Sequence, residues 1–179
     1  MKPFFRTSLF LILSASLLLL VGCADDRAKQ LANEFSSSSL VVSESFLDRG
    51  TIAMDQGTLA MDYDVTNTGT DPVVIKEMYT SCMCTSARLQ AGGEWAPIVG
   101  MKGHGYDYSL FRIIEPGETA QVQVYFDPNA HGPMGVGTNR RSVYLETNSS
   151  MTPQIKLDFT VDVVRTSAEL SSSQEENVD

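Results

Sequence analysis

The sequence predicts an all-β domain, an antiparallel β-sandwich, on three observations. Leu59, Met61, Tyr63 and Val65 alternate with Ala60, Asp62, Asp64 and Thr66, and later segments repeat the pattern. A period of two puts one face of a strand in a core and the other in water. Clusters of Gly, Pro, Asn and Asp separate these segments and supply turn chemistry. Beyond the N-terminal leader no segment carries a 3.6-residue apolar period, and an α/β fold would need the crossover helices that such a period marks.

The chain opens with Lys2 and Arg6, then an apolar run from Leu9 to Val21 broken only by Ser14, Ala15 and Ser16. A membrane span needs roughly 20 apolar residues; this run has instead the length of a signal-peptide core, about 7–15 residues. Leu20-Val21-Gly22-Cys23 resembles a bacterial lipobox, whose cysteine is acylated on sulfur and becomes the new N-terminus. Residues 1–22 are therefore expected to be a cleaved lipoprotein signal peptide, with Cys23 the lipidation site. Two or more acyl chains hold a protein stably, where one binds only reversibly. The expectation is a protein of the cell envelope, lipid-anchored to a membrane on its extracytoplasmic side. The formal net charge of −9 becomes −11 once Lys2 and Arg6 leave with the leader. So acidic a chain is repelled by phosphate backbones, which excludes nucleic acid and leaves the membrane and an envelope protein as expected partners.

Residues 23–38 are polar and include the start of a serine run, Ser36 to Ser39; they are expected to form a lipidated flexible tether. Residues 39–165 hold the sandwich, and residues 166–179, rich in Ser and Glu, are expected to be a disordered acidic tail. Within the domain, Asn67-Thr68-Gly69-Thr70-Asp71-Pro72 turns the Leu59–Val65 strand into Val73-Val74-Ile75. Pro116-Gly117 marks a second turn, after which Val122, Val124 and Phe126 face inward. Val143 and Leu145 continue the pattern, and Arg140 and Arg141 just before them read as edge charges that discourage sheet pairing. The last strand is the clearest, with Ile155, Leu157, Phe159, Val161 and Val163 alternating with Lys156, Asp158, Thr160 and Asp162. About seven to nine such strands fit a two-sheet sandwich of immunoglobulin type.

Residues 90–112 break the rhythm: Gly92, Gly93, Gly100, Gly103 and Gly105 crowd around the only tryptophan, Trp95. Long irregular segments in compact domains are functional or disordered. Trp95, Met101, Tyr106, Tyr108, Leu110 and Phe111 argue for order.

Asn67-Thr68-Gly69, Ser81-Cys82-Met83-Cys84-Thr85, Pro116-Gly117, Val122-Gln123-Val124-Tyr125-Phe126-Asp127 and Thr147-Asn148 follow one another in that order. The series is similar to the bacterial domain of unknown function 1573, over roughly residues 46–164. The resemblance implies an immunoglobulin-like sandwich of the kind carried by secreted proteins and lipoproteins, and implies no particular activity. Met83 stands where the family has Gly, and residues 90–112 look inserted relative to shorter members.

With Cys23 committed to lipid, Cys82 and Cys84 are the remaining cysteines, in a compartment that permits disulfides. On a flat strand residues i and i+2 share a face about 6.6 Å apart, too far for a bridge whose Cβ atoms want about 3.8 Å. Two thiolates so placed can share a soft metal ion. In a turn they can form a labile disulfide with a redox role. As free thiols they can also pack as two small hydrophobic side chains. Both histidines lie in Gly-rich loops near a methionine, in Met101-Lys102-Gly103-His104-Gly105 and His131-Gly132-Pro133-Met134-Gly135. Thiolate and thioether suit copper(I), and imidazole suits copper and zinc. The candidate metal ligands are therefore Cys82, Cys84, His104, His131, Met83, Met101 and Met134, for copper before zinc.

No Gly-x-Ser-x-Gly elbow or His-Glu-x-x-His pair is present, and Gly100 to Gly105 lacks the strand-to-helix setting of a dinucleotide site. The sequence thus points to a non-enzymatic envelope module binding a soft metal or a protein partner through the Cys82–Cys84 and histidine-loop face. A purely structural or adhesive module, and a thiol–disulfide role, are the alternatives.

Overall fold

A computed structural model of the chain describes residues 26–168. The expected signal peptide, Cys23 and the tail beyond residue 168 lie outside the described residues. Two five-stranded sheets pack face to face. In spatial order the first holds β1 (Leu40–Val42), β3 (Leu59–Asn67), β8 (Thr119–Phe126), β5 (Thr85–Ala91) and β6 (Glu94–Trp95). The second holds β2 (Phe46–Ala53), β10 (Gln154–Val164), β9 (Gly137–Thr147), β4 (Val73–Thr80) and β7 (Ser109–Ile114).

The all-β sandwich is the fold expected, and the alternation that announced it is the alternation of burial. Met61, Tyr63 and Val65 of β3, Val122, Val124 and Phe126 of β8, and Ile155 through Val163 at every second position of β10 are buried. Phe126 and Phe159 meet edge-on between the sheets, ring centroids 5.5 Å apart. Among the described residues the strands number ten, because β1 and β6 are too short to alternate and β2 is an edge strand that is mostly exposed. β2 also pairs parallel to β10, the exception among antiparallel neighbours, and an extra residue at Gly50 (φ 61°) shifts its register.

Two readings change. Arg140 and Arg141 are not edge charges: β9 lies inside its sheet, between β10 and β4. Arg140 turns outward toward Asp158, 3.5 Å away, while Arg141 pairs in register with Phe159 and shares the inner side of the sheet. The second concerns the expected tether, whose residues 26–38 lie against the domain. Ser36 and Ser38 are buried, Ser36 bridges to Ser149, and Asn148 Nδ2 donates to the carbonyls of Leu31 and Glu34 at 2.9 and 3.0 Å. Hydroxyl and main-chain hydrogen bonds hold this segment, so its polar composition did not announce it.

Residues 90–112 are ordered, as their aromatic content predicts. Val99 pairs with Ala87, Met101 with Thr80, and Lys102 sits over the rings of Tyr79 and Tyr108 while pairing with Glu77 at 2.7 Å.

Candidate functional site

Two chain crossings build the site. β4 ends at Thr80 in the second sheet, and the chain turns through Ser81–Cys84 into β5 of the first sheet. β8 ends at Phe126 in the first sheet, and the loop of residues 127–136 carries the chain to β9 in the second. Antiparallel pairing sets the start of β5 beside the end of β8, with Thr85 opposite Phe126. It likewise sets β9 beside the end of β4, with Thr80 opposite Val143. Both crossings therefore fall at one end of the sandwich, and the Asp127 N–H donates to the Cys84 carbonyl at 2.9 Å to join them.

The Ser81–Cys84 segment is a tight turn, closed by the Thr85 N–H on the Cys82 carbonyl at 3.2 Å. Thr80 Oγ1 lies 2.9 Å from the carbonyls of both Cys82 and Thr85 and fixes the turn from below. The bend brings the Cα atoms of Cys82 and Cys84 to 5.3 Å, and the two are joined as a disulfide. Of the three states open to the pair, this is the one that a turn permits and a flat strand forbids.

Both sulfurs have nitrogen neighbours, and the Cys84 N–H donates to Cys82 Sγ at 3.3 Å. Nε2 of His131 lies 3.3 Å from Cys82 Sγ, and Arg141 donates from Nε to Cys84 Sγ at 3.2 Å. Arg141 is aimed by Asn139, whose side-chain oxygen accepts from Nη2 at 2.6 Å. Asn139 is itself buried, and its Nδ2 donates to the carbonyls of Gly135 and Gly137 at the end of the His131 loop. Burial lowers the pKa of Arg141 from its ordinary value, and a guanidinium nevertheless stays charged in a protein. His131 is held by a loop braced on Asp127, whose carboxylate accepts the Asn129 N–H at 2.8 Å and whose carbonyl accepts the Ala130 N–H. A shallow hollow lined by Met54, Asp55, Asn129, Pro133 and Arg165 adjoins this loop.

Among the described residues, Cys82, Cys84 and His131 form one group of potential metal ligands, with all their ligand atoms within 4.8 Å of one another. His104 lies outside that group and is exposed. Met83 and Met134 are exposed at 60% and 90%, and Met101 is held in its bridge with Thr80. While the bridge is closed both sulfurs are bonded to each other, so a metal would meet two thiolates only after reduction.

Sequence reasoning missed Arg141 and Asn139. The signal was present in the parity of the strand: 139 and 141 share the core-facing positions of Val143 and Leu145. A charge on a core face is rare unless it has partners; here they are the Cys84 sulfur, the Asn139 side-chain oxygen and the Arg140 carbonyl.

Residues 40–93 match the family model DUF1573, described as a protein of unknown function. The DUF1573 match runs from β1 to just past β5 and supports the family resemblance over that stretch, while Pro116-Gly117, Val122–Asp127 and Thr147-Asn148 lie beyond it. No curated protein matches the chain. Among solved structures, a protein of unknown function from Porphyromonas gingivalis W83 is similar at TM-score 0.54 and 14% identity over 72% of this chain. This chain spans half (50%) of that protein's length, and the likeness is one of fold alone. A PapD-like domain of human CEP192 matches at TM-score 0.42 and 14% identity, over 73% of this chain and 88% of that one. The periplasmic chaperone SfaE matches at TM-score 0.37 and 8% identity, over 72% and 57%.

Proposed function

We propose that this chain is a cell-envelope lipoprotein, anchored through Cys23, whose Cys82–Cys84 pair is a thiol–disulfide couple working on an envelope protein partner. The exchange is stoichiometric, and a pair of thiols on the partner is its co-reactant. One observation carries the reading: a disulfide in a surface turn has an imidazole nitrogen beside one sulfur and a guanidinium beside the other. Positive or hydrogen-bond-donating neighbours favour thiolate and so favour exchange.

Stability does not account for the bridge. Its two cysteines are separated by 2 in sequence, and closing so short a loop contributes only about 1.6 kcal/mol on the chain-entropy model, against about 3 for a 15-residue loop. The test is to expose the folded full chain to reduced glutathione, alkylate, and read the mass. Cys82 and Cys84 are both expected to be alkylated while the far-ultraviolet spectrum is unchanged. A pair reduced only in denaturant would overturn it.

The grouping of Cys82, Cys84 and His131 favours a second reading, in which the reduced pair binds copper(I) or zinc. Native mass spectrometry of the reduced chain with each ion decides it: one ion bound, and lost in Cys82→Ser, supports this reading. Palmitate labelling of the full chain that disappears in Cys23→Ala tests the anchor.

A further inference from the structure

The two sulfurs of the bridge have unlike surroundings. Cys84 is only 3% exposed and belongs to the hydrophobic core. Its sulfur accepts the Arg141 Nε–H and lies 3.7 Å from the Thr85 hydroxyl. Cys82 is half-buried between exposed Ser81 and exposed Met83, and the imidazole beside it belongs to exposed His131.

We infer that the bridge is chemically asymmetric: Cys82 is the sulfur that an incoming thiolate attacks, and Cys84 is the sulfur that leaves, its charge received by Arg141. The inference rests on the exchange reading above. In the first step the partner protein's thiolate gives its electron pair to Cys82 Sγ. A bond forms between the partner's sulfur and Cys82, the Cys82–Cys84 bond breaks, and its electron pair departs on Cys84 as a thiolate facing the guanidinium. A second thiolate of the partner then attacks the partner's own sulfur in the mixed disulfide. That releases Cys82 as a thiolate and leaves the partner as a disulfide, oxidised by two electrons, with this chain reduced by two. Both thiolates of this chain take protons from water as the pH requires. Attack at Cys84 would have to pass the core that covers it and would expel Cys82 on the side away from Arg141.

The asymmetry has a direct readout. In Cys84→Ser or Cys84→Ala, either of which leaves Cys82 free, oxidised glutathione forms a stable mixed disulfide. In Cys82→Ser the buried Cys84 reacts at least roughly tenfold more slowly, and the two rates converge in urea. In the unmutated chain, acid quenching during reduction by glutathione and fragmentation of the peptide place glutathione on Cys82. In oxidised Arg141→Gln, reduction slows by roughly tenfold because the leaving thiolate loses its donor, and Arg141→Lys recovers part of the rate. Glutathione found on Cys84, or Cys84 reacting as fast as Cys82 in the folded chain, would overturn the asymmetry while leaving exchange intact. A folded, unmutated chain that glutathione does not reduce would overturn both.

Discussion

Arg141, on the inner side of β9, donates to the sulfur of Cys84 at 3.2 Å, tying the second sheet to the turn through which the chain crosses into the first. Asn139 completes the link, taking the Arg141 Nη2 at its oxygen and giving its own amide hydrogens to Gly135 and Gly137. Asn139→Ala therefore leaves a guanidinium and two carbonyls short of partners. The expected cost is about 1–3 kcal/mol, measured by urea unfolding of the oxidised chain. The same substitution frees the His131 loop, seen as faster amide exchange in residues 131–137.

Removal of the bridge is predicted to be mild. The double substitution Cys82→Ser and Cys84→Ser lowers stability by no more than about 2 kcal/mol, of which loop entropy supplies about 1.6. Urea unfolding of the oxidised and doubly substituted chains measures the difference. A loss of about 4 kcal/mol or more would mark the bridge as a structural staple.

Asp158 gives the fold a defined acid sensitivity. Burial opposes its charge, but hydrogen bonds from Ser142 and Lys156 and the positive charges of Lys156 and Arg140 outweigh burial and hold the carboxyl below its ordinary range. A carboxyl depressed in the folded state contributes stability that is fully present above its unfolded pKa of about 3.9 and is lost as pH falls through the folded value. Asp158→Asn is thus less stable than the parent at pH 7, and the gap closes as pH drops below about 4. Urea titrations at neutral and acid pH check the sign; a gap that widens in acid would contradict it.

Gly69 fixes the N-terminal segment by close approach. A Cβ there would stand 2.2 Å from Ser38 Oγ and 2.7 Å from Ser38 Cα, so main chain would have to move. Ser38 Oγ in turn accepts the Asp71 N–H at 2.7 Å, and the Ser38 carbonyl accepts the Ser149 hydroxyl. Gly69→Ala is expected to lower stability by about 1–3 kcal/mol through overpacking. It should also raise amide exchange in residues 36–40 while β9 and β10 stay protected.

The fold was legible where strands alternate over many residues, as in β3, β8 and β10, because each inward residue there meets one shared core. β2 was not, since Phe46 through Thr51 of this edge strand are exposed or half-buried on both faces and leave no alternation to show. The Asn67-Thr68-Gly69 turn announced itself through its chemistry. Asn67 is buried, its amide donates to the carbonyls of Asp71 and Ile114, and its oxygen accepts the Gly69 N–H. The site was half legible. Cys82 and Cys84 stood out by spacing and His131 by its Gly-rich loop, but their meeting depends on two sheet crossings falling at the same end, which only the strand order determines. His104 had the same local signature as His131 and lies outside the group. Arg141 was misread because its charge was weighed ahead of its parity with Val143 and Leu145.

The measurement closest to the central claim is the midpoint potential of the Cys82–Cys84 pair in the folded chain, set with glutathione or dithiothreitol buffers and read by alkylation and mass. One reversible two-electron transition is expected at a potential above about −300 mV, where exchange-active rather than structural bridges fall, with the fold intact on both sides. A transition below that value, or one that appears only as the chain unfolds, would contradict it.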